Sequence, residues 1–186
     1  MGRWQPDAAG RLRSAAFALY AEQGFDRTTV AQIAERAGLT ERTFFRHFAD
    51  KREVLFAGSQ ALLDQVVAAL ARTPTTAAPL DQVAAALEVA GDFFVDRDLS
   101  RQRQEVIAAH AELRERELIK LASWSAAFAT TFRERGVREP AASLTAEAGV
   151  AVFKVAFERW VEQDGDRPYV AFVRESMDEL KAVTAR

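Results

Sequence analysis

The stretch VAQIAERAGLTERTFFRHF, residues 30–48, decides how this chain folds. Four apolar residues in its first half have the i, i+3, i+4, i+7 spacing of one helix face: Val30, Ile33, Ala34 and Ala37. Gly38 follows them, and a glycine can adopt the positive φ that a tight turn requires. The small Ala34 lets a second helix cross close to the first. These features predict a helix-turn-helix.

The second helix of this motif is predicted over residues 41–47, with Thr40 as its N-cap. Leu39 and Phe44 are expected to anchor this helix to the core. The opposite face is then free to enter the major groove of DNA, as the second helix of such a motif does. That face consists of Thr40, Glu41, Thr43, Arg46 and His47.

The rest of the chain has a helical pattern, and no period-two alternation predicts a strand. A first helix with apolar residues from Leu12 to Tyr20 should stop near Gly24. Thr29 and Gln32 have the spacing of a capping box for the next helix, and Asp50 can cap a longer helix over residues 51–72. After a loop at 73–79, helices are predicted at residues 80–95, 99–108, 111–135, 140–163 and 167–183.

The pattern therefore predicts an all-α protein of about nine helices in two domains. Residues 1–55 would form a three-helix DNA-binding domain, and residues 56–186 a larger helical domain. Hydrophobic residues make up 49% of the 186 residues, which is enough for a core, and the absence of cysteine excludes disulfides and thiolate metal sites. The longest apolar runs are too short to span a bilayer, and no apolar leader is visible, so we expect a soluble cytoplasmic protein.

The charge is distributed unevenly along the chain. Residues 1–58 contain nine Lys and Arg against seven Asp and Glu, a net charge of +2, whereas residues 59–186 contain sixteen against twenty, a net charge of −4. A difference of this size also arises by chance, but it is consistent with a DNA-facing end on an acidic body. Arg3, Arg11 and Arg13 are candidates for a basic arm near the DNA, although for Arg3 a disordered tail is an equally good interpretation.

The segment AEQGFDRTTVAQIAERAGLTERTFFRHFADKREVL, residues 21–55, resembles the N-terminal signature of the TetR family of bacterial regulators. The resemblance runs from about Gly10 to Leu55. Beyond it, the chain is similar to the family only in length and helical character. The resemblance implies a DNA-binding regulator, normally a repressor, that a small ligand releases from a near-palindromic operator. It also implies that residues 56–186 form a helical ligand-binding and dimerisation domain.

The resemblance also implies roles for individual residues. Arg42 and Thr43 would touch bases or the nearby DNA backbone, and Arg46 and His47 would contact bases or phosphates. Further contacts to the DNA backbone would come from Thr29 and Lys51, the latter holding a phosphate. Phe45 departs from the pattern, because many members have a tyrosine there that binds a phosphate. For Phe45, contact with a thymine methyl group and plain packing remain alternatives.

The last two predicted helices are candidates for a dimer interface. Between residues 148 and 157 only Lys154 is charged, so this helix should be buried on most faces. In the resembled family these helices form a four-helix interface between two subunits, although a monomeric core would show the same pattern. The predicted interface residues are Val152, Val155, Ala156, Arg159, Phe172, Val173 and Met177.

Aromatic residues are concentrated in the middle helices, where members of the resembled family bind small molecules. The candidate ligand-binding residues are Phe94, His110, Trp124, Phe128, Phe153 and Phe157. Simple core packing is the alternative for such rings, but His110 and Trp124 add polar groups that need partners. An apolar or aromatic organic compound is the favoured ligand, and the helix over residues 51–72 is the expected lever between ligand and DNA.

Two other classes of protein are disfavoured by the sequence. An enzyme is disfavoured because neither histidine has a metal-spaced partner and no phosphate loop or nucleophile motif is present. No cofactor and no metal are therefore expected. A helix-turn-helix that binds a protein instead of DNA is disfavoured by Arg46 and Lys51. The expected partners are double-stranded operator DNA, a second copy of the chain and a small organic effector.

Overall fold

A computed structural model describes residues 7–185, and within this range the chain is helical without any strand. The α-helices are α1 (Ala8–Gln23), α2 (Val30–Arg36), α3 (Glu41–His47), α4 (Ser59–Arg72), α5 (Pro79–Leu87), α6 (Arg97–Ala109), α7 (Ala111–Glu134), α8 (Ala141–Glu162) and α9 (Tyr169–Thr184). Two 3-10 helices, Glu53–Phe56 and Glu88–Asp92, accompany them. The all-α prediction is confirmed. Arg3 lies outside the described residues.

The helix predicted over residues 51–72 is interrupted. The Asp50 carboxylate accepts hydrogen bonds from the backbone N–H groups of Arg52 (2.8 Å) and Glu53 (3.0 Å), but this cap begins only the 3-10 helix Glu53–Phe56. Gly58 then has a φ of 85°, which an α-helix cannot continue, and α4 begins after it. The prediction of one continuous helix over residues 51–72 is therefore wrong.

The stretch Glu53–Arg72 is long and apolar enough to cross a membrane by length and composition alone. The interruption at Gly58 breaks the continuous backbone hydrogen bonding that a membrane-spanning helix needs. Val66 and Leu70 are fully buried inside the protein. We therefore interpret this stretch as part of a protein core.

The chain divides into two compact units. The first contains the residues up to Ser59 together with Gln102–Leu113, and the second contains Gln60–Arg101 together with the residues from Arg114 onward. The first unit thus holds the helix-turn-helix and a second, distant segment of sequence. The division into domains at residue 55 did not include that second segment.

The distant segment is attached to the first unit by specific contacts. The Gln102 amide donates to the Phe17 carbonyl at 2.8 Å, and Arg103 Nε donates to the Leu55 carbonyl at 2.7 Å. The guanidinium of Arg52 binds both oxygens of the Glu112 carboxylate at 3.1 Å. Backbone carbonyls of the N-terminal segment therefore obtain their donors from residues far along the chain.

The second unit is built around α8 and α9, which pack on each other and on α5. Gly149 permits close approach of α5 to α8, because a Cβ at this position would lie 2.6 Å from Cγ2 of Val83. Here the helix predicted over residues 80–95 ends at Leu87 and continues as the 3-10 helix Glu88–Asp92.

Candidate nucleic-acid interface

The two helices of the motif are capped by threonine side chains. Thr29 Oγ1 accepts a hydrogen bond from the Gln32 backbone N–H at 3.2 Å, and Gln32 Oε1 accepts one from the Thr29 N–H at 2.9 Å. The predicted capping box is thus present. Thr40 Oγ1 accepts from the Thr43 N–H at 3.2 Å at the start of α3. These caps fix where both short helices begin.

The turn between the helices depends on Gly38 and on a side chain from α1. Gly38 has a φ of 64°, and the Leu39 N–H donates to the Ala34 carbonyl at 2.8 Å. The Arg11 guanidinium donates to the carbonyl oxygens of Ala37 and Gly38. Arg11, a candidate for the basic arm, is therefore directed to the turn.

Helix α3 has one buried and one exposed face. Phe44 is fully buried and its ring lies 5.5 Å from that of Phe48, which agrees with the predicted anchoring role. Arg42, Arg46 and His47 are exposed on the other face. Within residues 7–185 neither guanidinium forms an ion pair, so both are available to an anionic partner.

Phe45 lies among these cations with 55% of its surface exposed. Its ring meets that of Phe44 edge to face at 5.5 Å. An exposed aromatic ring beside cationic groups can contact a base edge or a sugar while the cations neutralise phosphates. Thr43 is partly buried and Thr40 is exposed at the N-terminal end of the same helix.

Lys51 makes contacts within the first unit that the sequence did not predict. Its ammonium donates to the carbonyl oxygens of Phe25 (2.8 Å), Asp26 (3.2 Å) and Thr28 (2.9 Å). Burial lowers the pKa of Lys51, and the negative charge of Asp26 acts in the opposite direction. A phosphate contact by Lys51 stays a prediction, and it would have to compete with these carbonyls.

His110 is assigned to the first unit, whereas the other candidate ligand-binding residues belong to the second unit. His110 belongs to the first unit, where its ring meets that of Phe25 edge to face at 5.0 Å. Its Nδ1 lies 2.7 Å from the Val106 carbonyl oxygen, and its Nε2 lies 3.4 Å from the Asp26 carboxylate. The polar partners of its ring thus belong to the unit that contains the helix-turn-helix, and a role of His110 in ligand binding stays a prediction.

The five remaining candidates form one aromatic cluster in the second unit. The ring centroids of Trp124 lie 4.5 Å from Phe153 and 5.9 Å from Phe128, and Phe94 lies 4.9 Å from Phe157. Two rings outside the predicted ligand-binding set complete the cluster, since Phe94 also contacts Trp160 and Tyr169. The buried Tyr169 hydroxyl donates to the Phe153 carbonyl at 3.3 Å, and burial raises its pKa.

Most of the predicted dimer-interface residues are buried within the single chain. The buried ones are Val152, Ala156, Phe172, Val173 and Met177. They belong to the core of the second unit, so they have no surface to offer a second subunit. Val155 is 44% exposed, and Arg159 is partly exposed with an ion pair to Glu175 at 2.9 Å. Only these two remain available for a partner.

The capped turn, the buried Phe44 and the exposed cationic face of α3 define a helix-turn-helix DNA-binding protein. Residues 12–57 match the family model of bacterial regulatory proteins of the tetR family. Residues 77–185, more than half of the chain, match the MftR C-terminal domain. The chain belongs to the TetR family of bacterial transcriptional regulators, which are typically repressors and not enzymes.

Individual relatives agree with this assignment. The chain is 42% identical over 71 residues to the regulator TcmR of Streptomyces glaucescens, a match that covers 38% of this chain and 31% of TcmR. It is 27% identical over 125 residues to the regulator MftR of Mycobacterium tuberculosis, covering 67% of this chain and 63% of MftR. The chain thus spans less than two thirds of the length of these curated relatives. The structure of FadR from Thermus thermophilus has the same fold, with a TM-score of 0.57, 22% identity and 92% coverage of each chain.

Proposed function

We propose that this chain is a repressor whose homodimer occupies a near-palindromic operator and leaves it when a small organic ligand binds. The observation that carries this proposal is the exposed face of α3, where Arg42 and Arg46 have no acidic partner among the described residues. A protein that used this helix only for internal packing would have no reason to present two uncompensated cations and an exposed phenylalanine on it.

The proposed DNA contacts divide into those that position the protein and those that read bases. Arg46 and Thr43 are assigned to base edges, since arginine forms bidentate hydrogen bonds with guanine and threonine can contact several bases. Arg42 and His47 are assigned to phosphates or bases at the edge of the groove. The hydroxyl groups of Thr29 and Thr40, both exposed at helix starts, are assigned to the DNA backbone.

Dimerisation is proposed because one seven-residue helix can read only a few base pairs. Two copies related by a two-fold axis would read half-sites about 34 Å apart, or a multiple of that distance. A stripe on α8 has the spacing of a helix-packing seam and supports this assignment: the exposed Leu144, Ala151 and Val155, with the partly buried Ala148 between them. This stripe replaces the buried residues of the predicted interface.

The aromatic cluster of the second unit is the proposed effector site. Rings from several helices meet around Phe94, and the hydroxyl of Tyr169 and the indole of Trp124 add polar groups to an otherwise apolar region. FadR of Thermus thermophilus, which has the same fold, is a repressor in complex with lauroyl-CoA, a ligand that carries a long apolar acyl chain. Binding would lower DNA affinity by the ligand's preference for the non-binding state, typically about 1–3 kcal/mol.

The test begins with selection of an operator from random DNA by the wild-type protein. Arg46→Ala and Thr43→Ala should then each weaken binding by about 1–3 kcal/mol, whereas Arg138→Ala, at an exposed arginine outside the helix-turn-helix, should not. A library of apolar organic compounds is screened for release of a fluorescent operator. Selection of no sequence, or equal binding by wild type and Arg46→Ala, would overturn the assignment of α3.

A further inference from the structure

The hydrogen-bond donors of the Lys51 ammonium are all occupied within the protein. An ammonium group has three N–H donors, and the three carbonyl oxygens at 2.8, 3.2 and 2.9 Å account for all of them. The Lys51 nitrogen also lies 4.4 Å from the centroid of the Phe25 ring, over its face. The favourable electrostatic environment of this cation is thus supplied by the protein itself.

The three carbonyls belong to the short segment that connects α1 to α2. Phe25, Asp26 and Thr28 form the turn that immediately precedes Thr29, the N-cap of α2. Lys51 itself comes three residues after Phe48, the C-cap of α3. The ammonium therefore ties the entrance of the first helix of the motif to the exit of the second.

The backbone of Lys51 is fixed as well as its side chain. The Tyr20 hydroxyl, from α1, donates to the Lys51 carbonyl oxygen at 2.8 Å. The residue is thus held at both ends, by α1 through its carbonyl group and by the turn before α2 through its ammonium. Such a connection limits how α2 and α3 can rotate relative to α1.

We propose that Lys51 is a positioning residue for DNA binding, whose ammonium locks the turn before α2 to the segment after α3 and so sets the direction of the α3 face without holding a phosphate. The proposal rests on the proposed function, because it presumes that α3 reads DNA. It differs from a phosphate contact in what it demands of the side chain. A phosphate needs a positive charge, whereas this lock needs three N–H donors on one nitrogen.

The chain contains no cysteine, so Lys51→Cys introduces a single site for selective alkylation. Treatment with 2-bromoethylamine restores a primary ammonium at nearly the length of lysine. Treatment with (2-bromoethyl)trimethylammonium restores the charge without any N–H donor. The pair is matched in charge and differs in the property on which the proposal depends. Lys51→Arg adds a third form, because a planar guanidinium keeps the charge but cannot direct three donors from one nitrogen.

Operator affinity is measured as a function of salt concentration, at a temperature where circular dichroism shows every form to be folded. We expect Lys51→Cys, its trimethylammonium form and Lys51→Arg each to lose about tenfold or more in affinity, and the primary ammonium form to recover it to within about threefold. The salt slope should match wild type in all forms, whereas Arg42→Ala, which removes a proposed phosphate contact, should reduce it by about 1. A role confined to stability would lower the melting temperature and leave the affinity of the folded forms unchanged, which would overturn the proposal.

Wild-type affinity in the trimethylammonium form and in Lys51→Arg would also overturn it, since charge alone would then suffice. A second experiment measures the rates of amide hydrogen exchange in the absence of DNA. The N–H groups of Ile33 and Gln32, in the first turn of α2, should exchange faster in Lys51→Cys and return to wild-type rates only with the primary ammonium. If the wild type selects no operator, the proposed function fails, while this exchange pattern still decides whether the lock exists.

Discussion

Replacement of Gly38 by alanine should destabilise the first unit by about 1.5–3.5 kcal/mol. Gly38 has a φ of 64°, and a residue with a Cβ is strained there by about 1–2 kcal/mol. The new Cβ would also lie 2.9 Å from Nη2 of Arg11. That nitrogen is the end of a flexible side chain and can move away, but it then loses its hydrogen bond to the Ala37 carbonyl, worth about 0.5–1.5 kcal/mol.

The assay is urea unfolding of wild type, Gly38→Ala, Arg11→Ala and the double variant, with Gly136→Ala as a control. Gly136 has a φ of 87°, and no atom of the described residues lies within 4 Å of the place that an added Cβ would take. Its replacement should therefore show backbone strain alone. In the Arg11→Ala background, the destabilisation caused by Gly38→Ala should fall to about 1–2 kcal/mol, because only the backbone strain remains and the clash is absent. An effect below about 0.5 kcal/mol in wild type, or an undiminished effect without the Arg11 side chain, would refute the reasoning.

Three further results are expected. Phe45→Tyr should tighten operator binding severalfold in a fluorescence titration, because a hydroxyl on this exposed ring can donate to a phosphate; unchanged or weaker binding would show that the ring does not lie near the backbone of DNA. Val155→Glu should shift the protein toward monomer in sedimentation, whereas Ala156→Glu should lower the melting temperature, since Ala156 is fully buried; the same effect for both would contradict the assignment of faces on α8. The Arg174 guanidinium lowers the pKa of Glu88, so this pair stabilises the fold at neutral pH and ceases to do so as the pH falls and the carboxylate is protonated. The difference in melting temperature between wild type and Glu88→Gln should therefore shrink in acid. A difference that stays constant with pH would argue against the ion pair.

The helix-turn-helix was predictable because its determinants are local. The capping box of Thr29 and Gln32, the cap at Thr40 and the positive φ of Gly38 each involve residues within four positions of one another, and the structure has all of them. Phe44 was identified as an anchor because the spacing of apolar residues already separates the two faces of a short helix.

Other features depend on contacts that local sequence does not encode. A single glycine within a helical pattern is usually tolerated. The sequence around Gly58 therefore does not indicate that the helix ends there. The ring of His110 meets Phe25, a residue 85 positions earlier, and no periodicity predicts that pairing. On α8, Val155 and Ala156 are adjacent and both apolar, and only the packed structure shows that the first faces outward and the second inward.

The discontinuous first unit has a consequence for protein engineering. Regulators of this architecture invite recombination, in which the reading head of one protein is grafted onto the sensor of another at a single splice point. Here a splice after Ser59 would leave behind Gln102 and Arg103, the donors to the Phe17 and Leu55 carbonyls, and Glu112, the partner of Arg52. A transplantable head must therefore carry the matching Gln102–Leu113 segment into the recipient, as a two-piece graft.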